Sequence, residues 1–220
     1  MPSKHVFVET NWVVDCFAPA PFATAAAIGL LRLAREASIA LHIPGICLSE
    51  ARAVVRKKFQ PRNQADPLRS YLRWAKENHR IEPDAESTVR RSLDRYESFI
   101  LTELEQLERQ IESLRNEKGV DVFPLTENML ELALKLGTER LELHPFDYAI
   151  LPAILTRASE IKVMELEAEL FLCELDGDLQ PWDRNGNRKP VLAQLFDDAH
   201  VWVYGDFEMT APPRPEDWPK

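Results

Sequence analysis

The chain has 220 residues, an apolar fraction of 45% and a formal net charge of −9. This length suits one large α/β domain, or a domain with a sizeable insertion, and the apolar fraction excludes global disorder. No apolar stretch reaches the roughly 18 uncharged residues of a membrane span, so we expect no contact with a membrane.

The first quarter of the chain predicts two strands and three helices. A short apolar run, Val6–Val8, predicts a buried strand that ends at Glu9, and Thr10 is suited to cap the helix that follows. The spacing of apolar residues then predicts an Ala-rich helix, a second strand, a Pro-Gly turn and a third helix. The helix after Glu9 covers Thr10–Phe17. The four elements that follow it cover, in this order, Phe22–Ala37, Ile39–Ile43, Pro44–Gly45 and Leu48–Phe59.

Residues 61–119 predict two helices that interrupt the α/β pattern. The first begins at Asp66-Pro67 and ends near Pro83, and the second runs from about Glu86 to Glu117. From Ile100 to Leu114 the apolar residues of the second helix alternate in steps of four and three, as in a heptad repeat. This pattern favours an antiparallel helical hairpin, and a dimerising coiled coil, which would make the protein a homodimer, is the alternative interpretation.

The pattern then returns to α/β. It predicts a weak strand over Val120–Leu125, a helix that starts near Thr126, a helix over Phe146–Ala158 and a strand over Leu170–Cys173. A small helix over Pro190–Phe196 and a last strand over His200–Tyr204 follow, and residues 208–220 form a proline-rich, flexible tail. We therefore expect an α/β core of residues 1–60 and 120–207 with a central, mostly parallel sheet.

The cysteines and the start of the chain indicate the compartment. Cys16, Cys47 and Cys173 are far apart and odd in number, which favours free thiols in a reducing environment. Glu9 and Asp15 interrupt what would be the apolar region of a signal peptide. We expect a cytoplasmic protein.

Four carboxylates share one kind of position. Glu9 and Asp176 follow the ends of short apolar strands, while Glu50 and Asp147 lie on the apolar stripes of helices. Ligands bind at the carboxyl ends of the strands in open α/β sheets. A buried, unpaired carboxylate is costly, so such residues usually pair, have a raised pKa or bind a cation. Oxygen ligands of this kind suit Mg²⁺ or Mn²⁺, whereas helix capping is the other common use of such residues. Glu174 and Asp15 are expected to be solvated.

These positions coincide with four segments that resemble the PIN-domain nucleases. The segments are Val6-Phe-Val-Glu-Thr-Asn-Trp-Val-Val, Ile43-Pro-Gly-Ile-Cys-Leu-Ser-Glu50, His144-Pro-Phe-Asp147-Tyr-Ala-Ile and Leu170-Phe-Leu-Cys-Glu-Leu-Asp176-Gly-Asp178-Leu. They occur in the order in which the family carries them and span most of the chain outside residues 61–119. Glu9 stands where the family usually has Asp, so its carboxylate reaches one methylene further.

The resemblance implies a PIN-like three-layer α/β/α fold and cleavage of RNA phosphodiesters that depends on Mg²⁺ or Mn²⁺. It implies that Glu9, Glu50, Asp147 and Asp176 are the catalytic and metal-binding acids, with Asp178 as a fifth ligand or a turn residue. The toxin ribonucleases of bacterial toxin–antitoxin pairs are among the relatives, so an antitoxin or another protein partner is expected. Residues 61–119 form a longer insertion than compact members of the toxin type carry.

The substrate requires positive charge near these acids. Residues 50–95 contain 12 basic and 7 acidic residues, although the whole chain is acidic. Arg52, Arg56 and Lys57 follow Glu50, and Thr10 and Asn11 follow Glu9, so these five residues are the candidates for binding RNA. Basic residues continue at Arg69, Arg73 and Lys76, whose spacing places them on one helix face. A groove for the RNA backbone and a solvated basic face are equally consistent with this pattern.

A rival interpretation comes from a different class of function. A PIN fold in which Glu9 marks lost catalysis would act as a scaffold that binds RNA or a protein. The full set of acids favours the enzyme, and the replacement of Asp by Glu favours the scaffold.

Overall fold

The centre of the molecule is a sheet of five parallel strands. The computed structural model describes residues 3–18, 23–139, 141, 143–175, 177–183 and 185–209. The strands lie in the order β3-β2-β1-β4-β5, and every adjacent pair is parallel. They are β1 (Lys4–Val8), β2 (Ala40–Pro44), β3 (Val120–Phe123), β4 (Glu169–Cys173) and β5 (Val201–Tyr204). The prediction of an α/β chain with a central parallel sheet is confirmed.

Strand β1 occupies the middle of the sheet. Val6, Phe7 and Val8 have no exposed surface, because a central parallel strand is covered on both faces. Phe7 is the register partner of His42 in β2, and Val8 is the register partner of Cys173 in β4. The short apolar run in the sequence is therefore a core strand with neighbours on both sides.

Helices connect the strands and cover the sheet. Since the connections after β1 and β2 run in one direction along the sheet and those after β3 and β4 run in the other, right-handed crossovers place their helices on opposite faces. This arrangement is compatible with three layers. The helices are α1 (Thr10–Phe17), α2 (Ala25–Arg35), α3 (Gly45–Phe59), α4 (Arg62–Glu77), α5 (Pro83–Ser113), α6 (Glu127–Leu136), α7 (Asp147–Met164) and α8 (Pro190–Asp198).

The start of α3 differs from the prediction. Pro44 ends β2 and Gly45 begins α3, so these two residues do not form a separate turn. A Cβ atom at position 45 would lie 3.2 Å from the backbone oxygen of Phe123, at the end of β3. Glycine therefore allows the helix to begin directly against the neighbouring strand, which a periodicity argument cannot detect.

The two helices expected between residues 61 and 119 are present, with different bounds. Helix α4 begins at Arg62, and Pro67 lies inside it rather than at its start. Helix α5 has 31 residues and begins at Pro83. On α4, Leu72 and Ala75 are buried, whereas Leu68 and Trp74 are about half exposed.

The heptad-like seam of α5 faces the chain's own core. Leu104, Leu107, Ile111 and Leu114 are all buried in the main hydrophobic cluster, where α5 packs against α1 and α3. These positions are thus occupied within one chain, and they leave no surface for a coiled coil along the seam. The interpretation as a hairpin describes this region better than the interpretation as a dimerising coiled coil.

Three further predictions concern the membrane, the cysteines and the tail. Among the described helices, none has the length and apolar character needed to cross a bilayer. Cys16, Cys47 and Cys173 are buried free thiols. Residues 210–220 of the predicted tail, and residue 22 at the predicted start of the Ala-rich helix, lie outside the described residues.

Candidate active site at the carboxyl edge of the sheet

Two buried acids follow the adjacent strands β1 and β4. These strands lie at the point where the order of the strands along the chain changes direction across the sheet. The chain proceeds from β1 toward β2 and β3 on one side and from β4 to β5 on the other, so β1 and β4 flank the switch point. Val8 and Cys173 are register partners, and each is followed directly by a glutamate, Glu9 or Glu174. Open α/β sheets bind ligands in the crevice outside the carboxyl ends of the strands at such a point.

Glu9 caps the first helix with its own side chain. Both carboxylate oxygens accept the backbone N–H of Asn11, at 3.0 Å and 2.9 Å, and only 5% of the residue is exposed. Thr10 is the first residue of α1 and not its cap, so the capping role expected of its hydroxyl is wrong. The carboxylate takes this role because it immediately precedes the helix and can reach the free N–H groups of the first turn.

The hydroxyl of Thr10 connects α1 to α3 instead. It donates a hydrogen bond of 2.5 Å to Oε2 of Glu50, which is half-buried on α3. Glu50 thereby lies on the inward side of its helix, as its position beside the apolar stripe predicts. Two of the expected acids, Glu9 and Glu50, are thus held through adjacent residues of α1.

Cys47 completes this part of the site. It has no exposed surface, and burial raises the pKa of its thiol well above the ordinary value. The negative charges of Glu9 and Glu50 raise that pKa further, whereas a hydrogen bond with Thr10 lowers it. Cys47 therefore stays a neutral thiol, buried close enough to Glu9 and Glu50 for both charges to raise its pKa.

Glu174 is buried, and the prediction that it is solvated is wrong. Only 1% of the residue is exposed. Its Oε2 accepts the backbone N–H of Gly177 at 3.2 Å, and its carbonyl accepts Nε2 of Gln180 at 2.8 Å. Its own N–H donates to the carbonyl of Tyr204 at 3.1 Å. The polar run after β4 resembles a surface loop in sequence, but it turns back over the edge of the sheet and covers its first acid.

Asp147 begins α7 at the same edge of the sheet. It is half-buried, and its Oδ2 accepts the backbone N–H of His144 at 3.3 Å. Nε2 of His144 lies 3.3 Å from Oδ2 of Asp178, so the start of α7 contacts the loop that follows β4. The structure therefore brings Asp147 and Asp178 to one side of the candidate site. Asp176 lies outside the described residues.

The chemistry of these acids fits a hard divalent cation. Carboxylate oxygens are the ligands that Mg²⁺ and Mn²⁺ prefer, and all the expected ligands are Asp or Glu. Within the described part of the chain, no three His, Cys, Asp or Glu side chains are grouped so that they could hold one ion. The described acids form two sets there, Glu9 and Glu50 around Cys47, and Asp147 and Asp178 around His144.

Most of the residues expected to bind RNA already have partners within the chain. Arg56 forms a bidentate ion pair with Glu108 of α5, in which one hydrogen bond measures 2.9 Å. Arg52 lies 3.8 Å from Glu108 and 3.7 Å from Glu112. Lys57 is exposed beside them, and Asn11 contributes its backbone N–H to Glu9. Much of the positive charge expected beside Glu50 therefore serves to attach α5 to α3.

Sequence reasoning missed a cavity and two acids. A cavity of about 520 Å³ adjoins Asp178 and is lined by Arg188, Lys189 and apolar residues at the start of α8. Glu174 and Asp206 follow β4 and β5, and Asp206 lies close enough to Cys173 for its charge to raise the pKa of that buried thiol. The signal for both acids was their place directly beyond an apolar run, which is the signal that identified Glu9.

Comparisons with models of known protein families, with curated proteins and with solved structures found no match.

Proposed function

We propose that this protein is a metal-dependent ribonuclease that hydrolyses RNA phosphodiester bonds at the carboxyl edge of its sheet. The observation that carries the proposal is the pair of buried acids, Glu9 and Glu174, which follow register partners at the switch point between β1 and β4. Each carboxylate accepts a backbone N–H, of Asn11 or of Gly177, at the edge where open parallel sheets bind ligands. A function at this site explains why the fold retains them there.

The resemblance to PIN-domain nucleases supports the same conclusion. The resemblance implies a sheet between layers of helices, and the five parallel strands and their crossovers are compatible with this arrangement. Three of the four acids named by the resemblance belong to the described residues: Glu9 follows β1, Glu50 lies in the second turn of α3, and Asp147 begins α7. Acids from different elements that converge on one edge are the arrangement that a site for a phosphate and a cation needs.

Four acids share one role in this proposal, and Thr10 has another. Glu9, Glu50, Asp147 and Asp176 would hold Mg²⁺ or Mn²⁺, with Asp178 beside them. When bound, such an ion makes water more acidic and stabilises negative charge on the oxygens of the scissile phosphate. Thr10 positions the carboxylate of Glu50 through its hydrogen bond.

The buried groups around the acids restrict access of water to the site. Cys47 has no exposed surface, and Glu9 is only 5% exposed. A site with limited water strengthens the interaction of the carboxylates with a cation and with a hydrogen-bond donor. Asp178 adjoins the cavity beside the start of α8.

The decisive experiment measures cleavage of a mixed pool of single-stranded and structured RNA with Mn²⁺, Mg²⁺ or EDTA. The wild-type chain is compared with Glu9→Gln and Asp147→Asn, and Glu167→Gln serves as the control because Glu167 is exposed in the turn before β4. We expect cleavage that needs the metal, is lost in the two site variants and is unchanged in the control.

The other outcomes separate the rival hypotheses. Thermal stabilisation by Mn²⁺ without cleavage in any variant would favour the scaffold that binds RNA or a protein. Absence of both cleavage and stabilisation by Mn²⁺ would overturn the proposed enzyme. Cleavage that persists in EDTA, or in both site variants, would indicate a contaminating nuclease or a different site.

A further inference from the structure

The hairpin of α4 and α5 has two faces of different character. On one face, ion pairs join the two helices. Arg69 forms a bidentate pair with Glu97 and donates to Asp94 at 2.6 Å, and Nζ of Lys76 lies 3.4 Å from Glu86. The basic stripe predicted on α4 is thus largely neutralised by acids of α5.

The other face displays aromatic side chains to solvent. It is identified by Tyr96, whose hydroxyl donates to Oε1 of Gln64 at 2.7 Å across the two helices. Tyr71 and Phe99 are 63% and 62% exposed, and Trp74 is about half exposed. The rings of Tyr71 and Trp74 are 5.7 Å apart and tilted by 30°. We define the aromatic face of the hairpin as Tyr71, Trp74, Val89, Tyr96 and Phe99.

This face is not part of the chain's own packing. The same helix α5 buries Leu104, Leu107 and Ile111 in the core, whereas Val89, Tyr96 and Phe99 lie nearer to the start of the helix. An exposed group of large apolar side chains is unfavourable in water and usually marks a binding surface. Aromatic rings offer a flat contact surface with little loss of conformational entropy.

Arginines without an ion pair accompany the aromatic face. Among the described residues, Arg91 and Arg95 of α5 take part in no ion pair, unlike Arg52, Arg56 and Arg69. Arg91 precedes Arg95 by four residues and Arg95 precedes Phe99 by four, so the two arginines lie on the same side of α5 as that ring. Two arginines that form no ion pair therefore lie beside the aromatic face on α5.

We propose that the aromatic face of the hairpin binds single-stranded RNA. Bases stack on exposed aromatic side chains regardless of sequence, and arginines beside them contact the phosphates. The combination of exposed rings and unpaired arginines complements a single strand, whose bases are accessible, better than a duplex, whose bases are already stacked. The proposal rests on the proposed function, because it assigns the substrate of that ribonuclease to single strands held by the hairpin.

Binding is measured separately from cleavage. The experiment follows the fluorescence anisotropy of a labelled, mixed-sequence, single-stranded RNA with EDTA present, so that no metal-dependent cleavage occurs. We expect the double variant Tyr71→Ser/Trp74→Ser to bind at least about tenfold more weakly, since each stacked base contributes roughly that factor or more. The double variant Tyr71→Phe/Trp74→Phe keeps the rings and should retain binding. Val163→Ser is the control, because Val163 is strongly exposed at the end of α7 and lies outside the hairpin.

The charged residues provide a second, independent measurement. Arg91→Gln/Arg95→Gln should weaken binding at low salt and reduce the slope of log affinity against log salt by about 1 to 2, one phosphate contact per arginine. The corresponding variant of the paired face, Arg69→Gln, should lower the stability of the hairpin and leave the salt slope unchanged.

Several results would overturn this proposal. One is unchanged affinity in Tyr71→Ser/Trp74→Ser, and another is failure of the phenylalanine variant to restore binding in a folded protein. A wild-type dimer in sedimentation that becomes monomeric in the serine variant would assign the face to a second copy of the chain. If the wild-type chain cleaves RNA while the serine variant binds normally, only this proposal fails. If no cleavage occurs but the serine variant loses RNA binding, only the ribonuclease fails.

Discussion

The hydroxyl of Thr10 donates a 2.5 Å hydrogen bond to the carboxylate of Glu50 and so joins the first turn of α1 to the second turn of α3. The two residues are 40 positions apart in the chain, and both adjoin the buried thiol of Cys47. One side chain that is 6% exposed thus orients a candidate metal ligand that belongs to a different helix.

Thr10→Val tests this orienting role, since valine has the shape of threonine without the hydroxyl. We expect the free energy of unfolding to fall by about 1 kcal/mol, the usual net value of one hydrogen bond. Metal-dependent cleavage should fall about tenfold or more, because a misplaced ligand weakens the preorganised site. Thr10→Ser keeps the hydroxyl and should restore most of the activity. Wild-type cleavage by Thr10→Val would refute the role.

Gly119→Ala tests a close approach of two backbones. Gly119 has φ of +76°, and a Cβ atom there would lie 2.0 Å from the backbone oxygen of Ala34. We expect a loss of more than about 2 kcal/mol in urea unfolding, because both strain and a clash with an immobile atom contribute. Gly186→Ala is the matched control. Its φ is +80° but the space around it is open, so it should lose only about 1 kcal/mol. Equal losses in the two variants would contradict the close approach.

Ile111→Ala tests the attachment of α5 to the core. Ile111 has no exposed surface, so its truncation should reduce stability by roughly 2–4 kcal/mol. Leu101→Ala on the same helix removes a half-exposed side chain and should change stability by less than about 0.5 kcal/mol. The midpoint of unfolding should not depend on protein concentration. A midpoint that rises with concentration in the wild type and not in Ile111→Ala would instead support a dimer through this seam.

Asp121→Asn tests the pH dependence of a hydrogen-bonded chain that crosses the sheet. Oδ2 of Asp121 lies 2.9 Å from Nδ1 of His42 and accepts from Nη2 of Arg157 at 2.8 Å. These partners lower the pKa of the Asp121 carboxyl from 3.8 to about 2. Because the folded state holds its proton less tightly than the unfolded state, the stabilisation is present above pH 3.8 and is lost as the pH falls toward 2.

The size of this effect is limited by exposure, since 38% of the Asp121 side chain is accessible to solvent. We therefore expect a contribution of roughly 1 kcal/mol, less than the shift alone would suggest. In urea unfolding, Asp121→Asn should be less stable than the wild type at neutral pH, and the difference should shrink as the pH approaches 2. Asp198→Asn, an exposed acid at the end of α8, serves as the control. A difference that is independent of pH would refute this assignment.

The sequence alone determined the main elements and part of the site. Apolar runs such as Val6–Val8 identified buried strands, because the interior of a parallel sheet is apolar on both faces and this property is visible residue by residue. The same reasoning identified Glu9 beyond β1 and Asp147 at the start of α7. The places of these two residues within the elements were predictable, because they depend on the order of residues within one element and on the rule that strand ends meet at one edge.

Only the tertiary structure decided which charges have partners. The burial of Glu174 depends on a loop that returns over the sheet, and the pairing of Arg56 with Glu108 joins residues 52 positions apart. The heptad-like seam of α5 looks the same in sequence whether it faces another chain or its own core. Contacts between residues that are distant in the chain follow from the packing of whole elements, and no local pattern of apolar and charged residues encodes them.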